Sequence, residues 1–171
     1  MPSGRTHDQI TLRTLPFVAV GALVLSRSAS LTLSLSGAFL FSGLMFGPDL
    51  DIYSVQYKRW GYLKLIWLPY RKLLRHRSWL SHGPIIGTIL RLIYLGVWLA
   101  MGIILNGLIL TRIWGISLDW QGALQQMEQQ GTQYVPEGLA ILLGLELGAM
   151  SHTCSDGLGS LYKAAMKRLK N

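Results

Sequence analysis

The chain has 171 residues, half of them hydrophobic, and only 14% are Asp, Glu, Lys or Arg, against about 25% in an ordinary soluble domain. That apolar content excludes a disordered chain, and the single cysteine, Cys154, excludes an internal disulfide and thiolate-rich zinc or iron–sulfur sites. Sixteen Lys and Arg against eight Asp and Glu leave +8, which fits anionic lipid, nucleic acid or the cytoplasmic rim of a membrane protein until the positions of the charges are read.

In chain order, a polar start carrying Arg5, His7, Asp8 and Arg13 leads into an uncharged stretch at 14–26, about 20 Å long as a helix. Arg27 and the RSAS sequence separate it from a second apolar run at 31–46 whose small residues suit close helix packing in lipid. The two read as a helical hairpin with a short first arm. Arg27 stands where a signal-peptide cleavage site needs small residues, so an uncleaved N-terminus is expected. Next comes a basic and aromatic segment in which Trp60, Tyr62, Trp67 and Tyr70 alternate with Lys64, Arg71 and Lys72. It predicts an interfacial helix with its aromatics at headgroup level. The clearest span lies at 85–111, where Leu92 to Thr111 are uncharged between Arg91 and Arg112. Those residues cover roughly 30 Å, the thickness of a bilayer core. A fourth apolar helix at 136–155 opens with Pro136 and carries Glu146, which could accept a hydrogen bond from a group behind the site or pair with Arg91 or Asn106. The expected fold is therefore all-α: a small polytopic membrane helical bundle of about four apolar helices plus the interfacial one, forming a single metal-binding domain over 1–171.

Orientation follows from the bases. Twelve of the sixteen lie before residue 113, the other four are Lys163, Lys167, Arg168 and Lys170, and none falls between Arg112 and Lys163. By the positive-inside rule both termini and the 49–84 segment are cytoplasmic at the cell (inner) membrane, and the 113–135 loop is on the other side. The +8 then reports orientation in lipid, and no nucleic-acid partner is expected.

All four histidines fall in short polar clusters at ends of apolar segments that this topology puts on the cytoplasmic face: His7 with Asp8, His76 and His82 in HRSWLSHGP, and His152 with Asp156, joined by Asp49 and Asp51 in GPDLD. His152 and Asp156 are four apart, so a helix presents both on one face. Asp49 and Asp51 could converge from a turn, or one could simply cap a helix. Mixed Asp and His in several clusters is the ligand chemistry of Zn²⁺, Mn²⁺ or Fe²⁺, zinc first among them. Eight candidate ligands exceed the four of one tetrahedral ion, which leaves room for one or two ions and for residues that orient the ligands. Cys154 would point away from His152 on a helix.

The order His-Asp, Pro-Asp-Leu-Asp, His-Arg-Ser-x-x-Ser-His-Gly-Pro and His-x3-Asp resembles a family of uncharacterised bacterial metal-binding membrane proteins and, more distantly, the YdjM-like membrane-bound metal-dependent hydrolases. In the YdjM-like pattern Asp49, Asp51, His76, Arg77, His82, His152 and Asp156 take the shared polar positions, while Ser78 stands in place of a Gly and Gly83 in place of a Ser. There is also a loose likeness to the all-helical zinc phospholipase C and P1 nuclease group. The resemblance implies metal-assisted attack of water on an ester or phosphoester, a lipid or other phosphoester as substrate, and Arg77 as a catalytic residue offsetting anionic charge. A non-catalytic membrane protein with a structural metal and a metal-free membrane scaffold are the alternative readings.

Overall fold

The computed structural model describes residues 4–116 and 119–169, the backbone alone at 161–165 and 167–169. Lys163, Lys167, Arg168 and Lys170, used above for orientation, therefore lie outside the described side chains. Every regular element among the described residues is helical.

Helix α1 is Gly4–Ser26 and starts well before the expected residue 14. Its 23 residues make about 35 Å, so the first arm of the hairpin is long enough to span. His7 and Thr11, a turn apart, form its buried face, and Thr11 Oγ1 donates to the His7 carbonyl (3.1 Å). After a bend at Arg27 (φ 50°), Ser28 caps α2, Ala29–Leu44, by accepting the Leu31 N–H. Helix α2 packs along the last long helix, which runs from Val135 to Leu169. At their contact a Cβ on Gly144 would lie 2.2 Å from the Leu35 carbonyl oxygen, and Ser42 Oγ donates across the seam to the Leu145 carbonyl (2.6 Å). Two backbones approach this closely only where a small residue permits it.

The basic and aromatic segment departs from the single interfacial helix expected of it. It breaks into α3 (Val55–Lys58), a 3₁₀ turn Gly61–Trp67 and α4 (Leu68–Leu73). Gly61, at φ +56°, stops a continuous helix. The break folds two of the four aromatics inward. Trp67 is fully buried, edge-on to Phe46, Trp60 and Tyr70 and stacked on Tyr94, with centroids 5.2–5.7 Å apart. Burial pushes the Tyr70 phenol up to about 12. Tyr62 behaves as the sequence suggested and is 96% exposed. The segment is thus a small aromatic core capping one end of the helices.

A one-turn helix α5 (Trp79–His82) precedes α6, Ile86–Trp114. The expected loop at 113–135 contains an amphipathic helix, α7 (Trp120–Gly131), capped by Asp119, which accepts the Gly122 N–H (2.9 Å). The last helix, α8, is Val135–Leu169 and continues well past 155. Three segments among the described residues are long and apolar enough to cross a membrane: Gly4–Ser26, Ala29–Asp51 and Ile86–Trp114. The sequence suggested four; α8 carries Glu137, Glu146 and Asp156 along its length.

Candidate metal centre

The site forms where the start of α1, the turn after α2, the loop around α5 and the middle of α8 meet. The turn Pro48–Asp51 is a 3₁₀ helix pinned by Leu50, which is wholly buried, and by Ser54 Oγ donating to the Asp49 carbonyl (2.8 Å). Arg77 adopts φ +60° and redirects the chain between His76 and His82, whose rings end up edge to face with centroids 5.0 Å apart. The residues gather into two groups, each with ligand atoms within 4.8 Å of one another: buried His7, His152 and Asp156, and half-buried Asp49, His76 and His82.

Asp49 joins the groups. Its Oδ2 lies 3.3 Å from His152 Nε2 and its Oδ1 3.8 Å from His82 Nε2. In the inner group His7 Nε2 is 3.2 Å from Asp156 Oδ1, and the His7 and His152 rings stack at 4.0 Å. The two carboxylates and four imidazoles form one continuous cluster.

The hydrogen bonds decide which ring nitrogens face it. Ser155 Oγ gives its one proton to the His152 carbonyl (2.8 Å), so at 2.7 Å it must accept from His7 Nδ1–H. Ser81 Oγ shares a hydrogen bond with His82 Nδ1 (2.9 Å), which turns the other ring nitrogen toward the cluster. Asp51 Oδ1 accepts from His76 Nδ1–H (2.9 Å). His7 and His76 are thereby held with Nδ1 protonated and the Nε2 lone pair turned to the cluster, and His82 presents Nε2 to it as well. That is how ligating histidines are oriented by their outer partners. Burial, with His76 adding to it against the pull of Asp51, holds His82 below its ordinary pKa and hence neutral.

The inward atoms face one another without hydrogen bonds. His76 Nε2, His82 Nε2, His152 Nε2 and Asp156 Oδ1 are buried without a hydrogen bond. Orphaned buried acceptors are costly, and several converging in one place are satisfied by a cation between them. The N and O donor set fits a divalent transition metal.

Of the residues singled out from sequence, His7, Asp49, His76, His82, His152 and Asp156 are brought together. Asp51 arrives too, but as the acid that orients His76. Asp8 does not join them: its carboxylate is clamped by the Arg59 guanidinium, which also donates to the Leu44 carbonyl (2.8 Å) and whose pKa is raised by the Asp8 hydrogen bonds. Because His7 faces inward on α1, the next residue points round the helix toward α3. Asp8→Asn is accordingly expected to leave metal content unchanged and to cost no more than about 1 kcal/mol, the scale of an exposed ion pair. Elemental analysis of the purified variant checks this. Arg77 stands at the rim, half exposed, with Nη2 3.7 Å from Asp156 Oδ2. Glu146 pairs with neither Arg91 nor Asn106 by a direct hydrogen bond; its Oε1 accepts the Ile85 N–H (2.9 Å). Cys154 is exposed and outside both groups. The sequence reading missed Ser81 and Ser155. Their only signal was adjacency to His82 and Asp156.

Comparison with known proteins agrees with this chemistry. A 58-residue stretch, 33% of this chain, is 38% identical to an uncharacterized protein of Aquifex aeolicus (strain VF5), and the match spans 40% of that relative. No solved structure matches. The family model described as "Uncharacterized metal-binding protein (DUF2227)" matches residues 2–166, nearly the whole chain that builds the cluster. The protein belongs to this family of metal-binding proteins.

Proposed function

We propose that the protein is a membrane-embedded metal-dependent hydrolase that cleaves an ester or phosphoester at the cytoplasmic face of the cell membrane, with zinc as the first candidate ion. The observation that carries this reading is Asp49, with one carboxylate oxygen beside each of two groups whose ligand atoms lie close enough together to hold an ion. His7, His152 and Asp156 would hold an inner ion in a buried setting that suits a structural role. Asp49, His76 and His82 would hold an outer one beside a cleft of about 240 Å³ lined by Arg77, His82, Thr153 and Asp156. A divalent ion there supplies a Lewis acid and brings the pKa of water toward neutrality.

The chain's own groups do the rest. Asp51 and Ser81 hold the His76 and His82 rings in ligand orientation. Arg77 Nη2, at the cleft wall, offers a fixed positive charge to an anionic substrate. The open cleft, which reaches one candidate ligand of each group, His82 and Asp156, supports hydrolysis over a purely structural metal. The test is elemental mass spectrometry on detergent-purified protein together with turnover of chromogenic phosphomonoesters and phosphodiesters. One to two equivalents of metal and a turnover that His82→Ala lowers at least a hundredfold are expected. Full metal loading with no turnover of any ester would leave the structural role.

The membrane part of the proposal rests on the three long apolar segments and on the distribution of bases. A reporter fused at residue 125, in α7, is expected to be non-cytoplasmic and one fused after Asn171 cytoplasmic. The reverse pattern would put the His and Asp cluster on the outer face.

A further inference from the structure

Three cavities lie end to end along one face of α8. The first is the cleft at Arg77, His82, Thr153 and Asp156. The second shares His82 and Thr153 with it and continues past Pro84 and Ala149 to Glu146. The third shares Glu146 and runs between α6 and α8, walled by Ile85, Ile89, Leu139, Leu142 and Leu143. On α8 the lining residues Leu139, Leu142, Glu146, Ala149, Thr153 and Asp156 recur at intervals of three and four, so they form a single stripe. The stripe is apolar at one end and polar at the other.

The apolar half is a built feature. Ile85 sits at φ 64°, ψ −55°, and the Pro84 carbonyl accepts from the Ile86 N–H (2.7 Å), which makes a γ-turn of the rare, strained kind. A β-branched residue is unfavourable there. Glu146 Oε1 holds the turn through the Ile85 N–H and so fixes the Ile85 side chain as a wall of the groove. Helices α6 and α8 make little direct contact, which leaves the groove open along its side.

We infer that this trough binds a phosphate-headed, single-chain membrane amphiphile, its head at the Arg77 and His82 end and its hydrocarbon chain laid between α6 and α8. The inference rests on the metal-centre reading for the head and on the groove for the chain. Arg77 gives the head end its positive charge, an ion held by the ligand groups would add affinity for phosphate oxygen, and the far end offers hydrocarbon with α6 itself apolar enough to lie in the membrane. One groove leads away from the head, so one chain is accommodated. From Asp156 to Leu139 the stripe runs about 25 Å along α8, roughly the far 10 Å of it apolar, so a chain of about sixteen carbons reaches Leu139 from the head end.

Native mass spectrometry of the full chain from dodecyl maltoside micelles tests this, because it counts metal and amphiphile in one measurement and the micelle supplies a neutral-headed dodecyl chain as background. One hexadecyl phosphate per metal-loaded protein is expected, with ethyl phosphate binding at least tenfold more weakly. Leu142→Trp and Leu139→Trp, at positions 46% and 56% exposed, fill the groove without disturbing packing. Each is expected to lower hexadecyl phosphate binding at least tenfold with metal content unchanged. Equal binding by wild type and both tryptophan variants, or ethyl phosphate binding as tightly as hexadecyl phosphate, overturns the groove while leaving the metal centre intact. Wild-type protein without metal overturns the hydrolase reading, and the tryptophan variants then report on the groove alone.

Discussion

Asp49→Ala is expected to weaken divalent metal binding at least a hundredfold and to remove metal from both halves of the cluster. The reason is its position. One oxygen lies 3.3 Å from His152 Nε2 in the buried group and the other 3.8 Å from His82 Nε2 in the half-buried group. Removing any one histidine takes a donor from one group; removing Asp49 takes an oxygen from beside both and, from the outer group, its one carboxylate. Asp51→Asn makes the contrast. Asp51 orients His76 from behind, and such outer carboxylates typically account for ten- to hundredfold in affinity with no loss of stoichiometry at saturation. Metal is also expected to stabilise the fold, because an ion held at a hundred times its Kd adds about 2.7 kcal/mol to the native state. Thermal melts with added Zn²⁺ should therefore shift upward for wild type and stay still for Asp49→Ala, and chelator competition gives the affinities. An Asp49→Ala protein that binds and stabilises like wild type would take Asp49 out of the centre and leave two separate sites.

How much of this was readable in advance depends on what each residue touches. The apolar runs at 31–46, 85–111 and 136–155 became helices because long uncharged stretches have few alternatives once their backbone must be satisfied internally. The histidines gather, as their places at the ends of apolar segments suggest, in two adjoining groups. Helix α1 was half hidden: Arg5, Asp8 and Arg13 interrupt its apolar pattern, although His7 and Thr11 are the buried positions. Asp8 looked like a ligand beside His7, yet adjacent helical residues point in different directions, and Arg59, which it meets, is 51 residues away. The aromatic segment was misread for a related reason. Trp67 and Tyr70 have the composition of an interface belt, and only the partners Phe46 and Tyr94, distant in sequence, make them core. Ser81 and Ser155 carry no signal of their own, since a hydroxyl becomes an orienting group only when a ring nitrogen is put against it.

Gly148→Val is expected to destabilise the protein by about 3 kcal/mol and to release metal, although residue 148 touches none of the ligands. A Cβ at Gly148 would lie 2.6 Å from the Phe39 carbonyl oxygen, 2.7 Å from Ser42 Cβ and 3.0 Å from the Gly43 nitrogen. These are backbone and near-backbone atoms of a packed helix, so they cannot swing aside. The helices must separate, and overpacking of this kind typically costs 1–3 kcal/mol. Separation breaks the 2.6 Å bond from Ser42 Oγ to the Leu145 carbonyl as well. The seam then transmits the displacement to the centre, because His152 stands one turn beyond Gly148 on α8 and Asp49 follows directly from the end of α2. Helix propensity acts in the opposite direction: valine forms helix better than glycine does. Gly138 isolates that contribution. Nothing lies within 4 Å of its Cβ position, so Gly138→Ala is expected to stabilise α8 by about 0.5–1 kcal/mol and keep its metal. Thermal denaturation in detergent with parallel elemental analysis distinguishes the cases, and a Gly148→Val protein with wild-type metal content would mean that the α2 and α8 contact does not set the distance between Asp49 and His152.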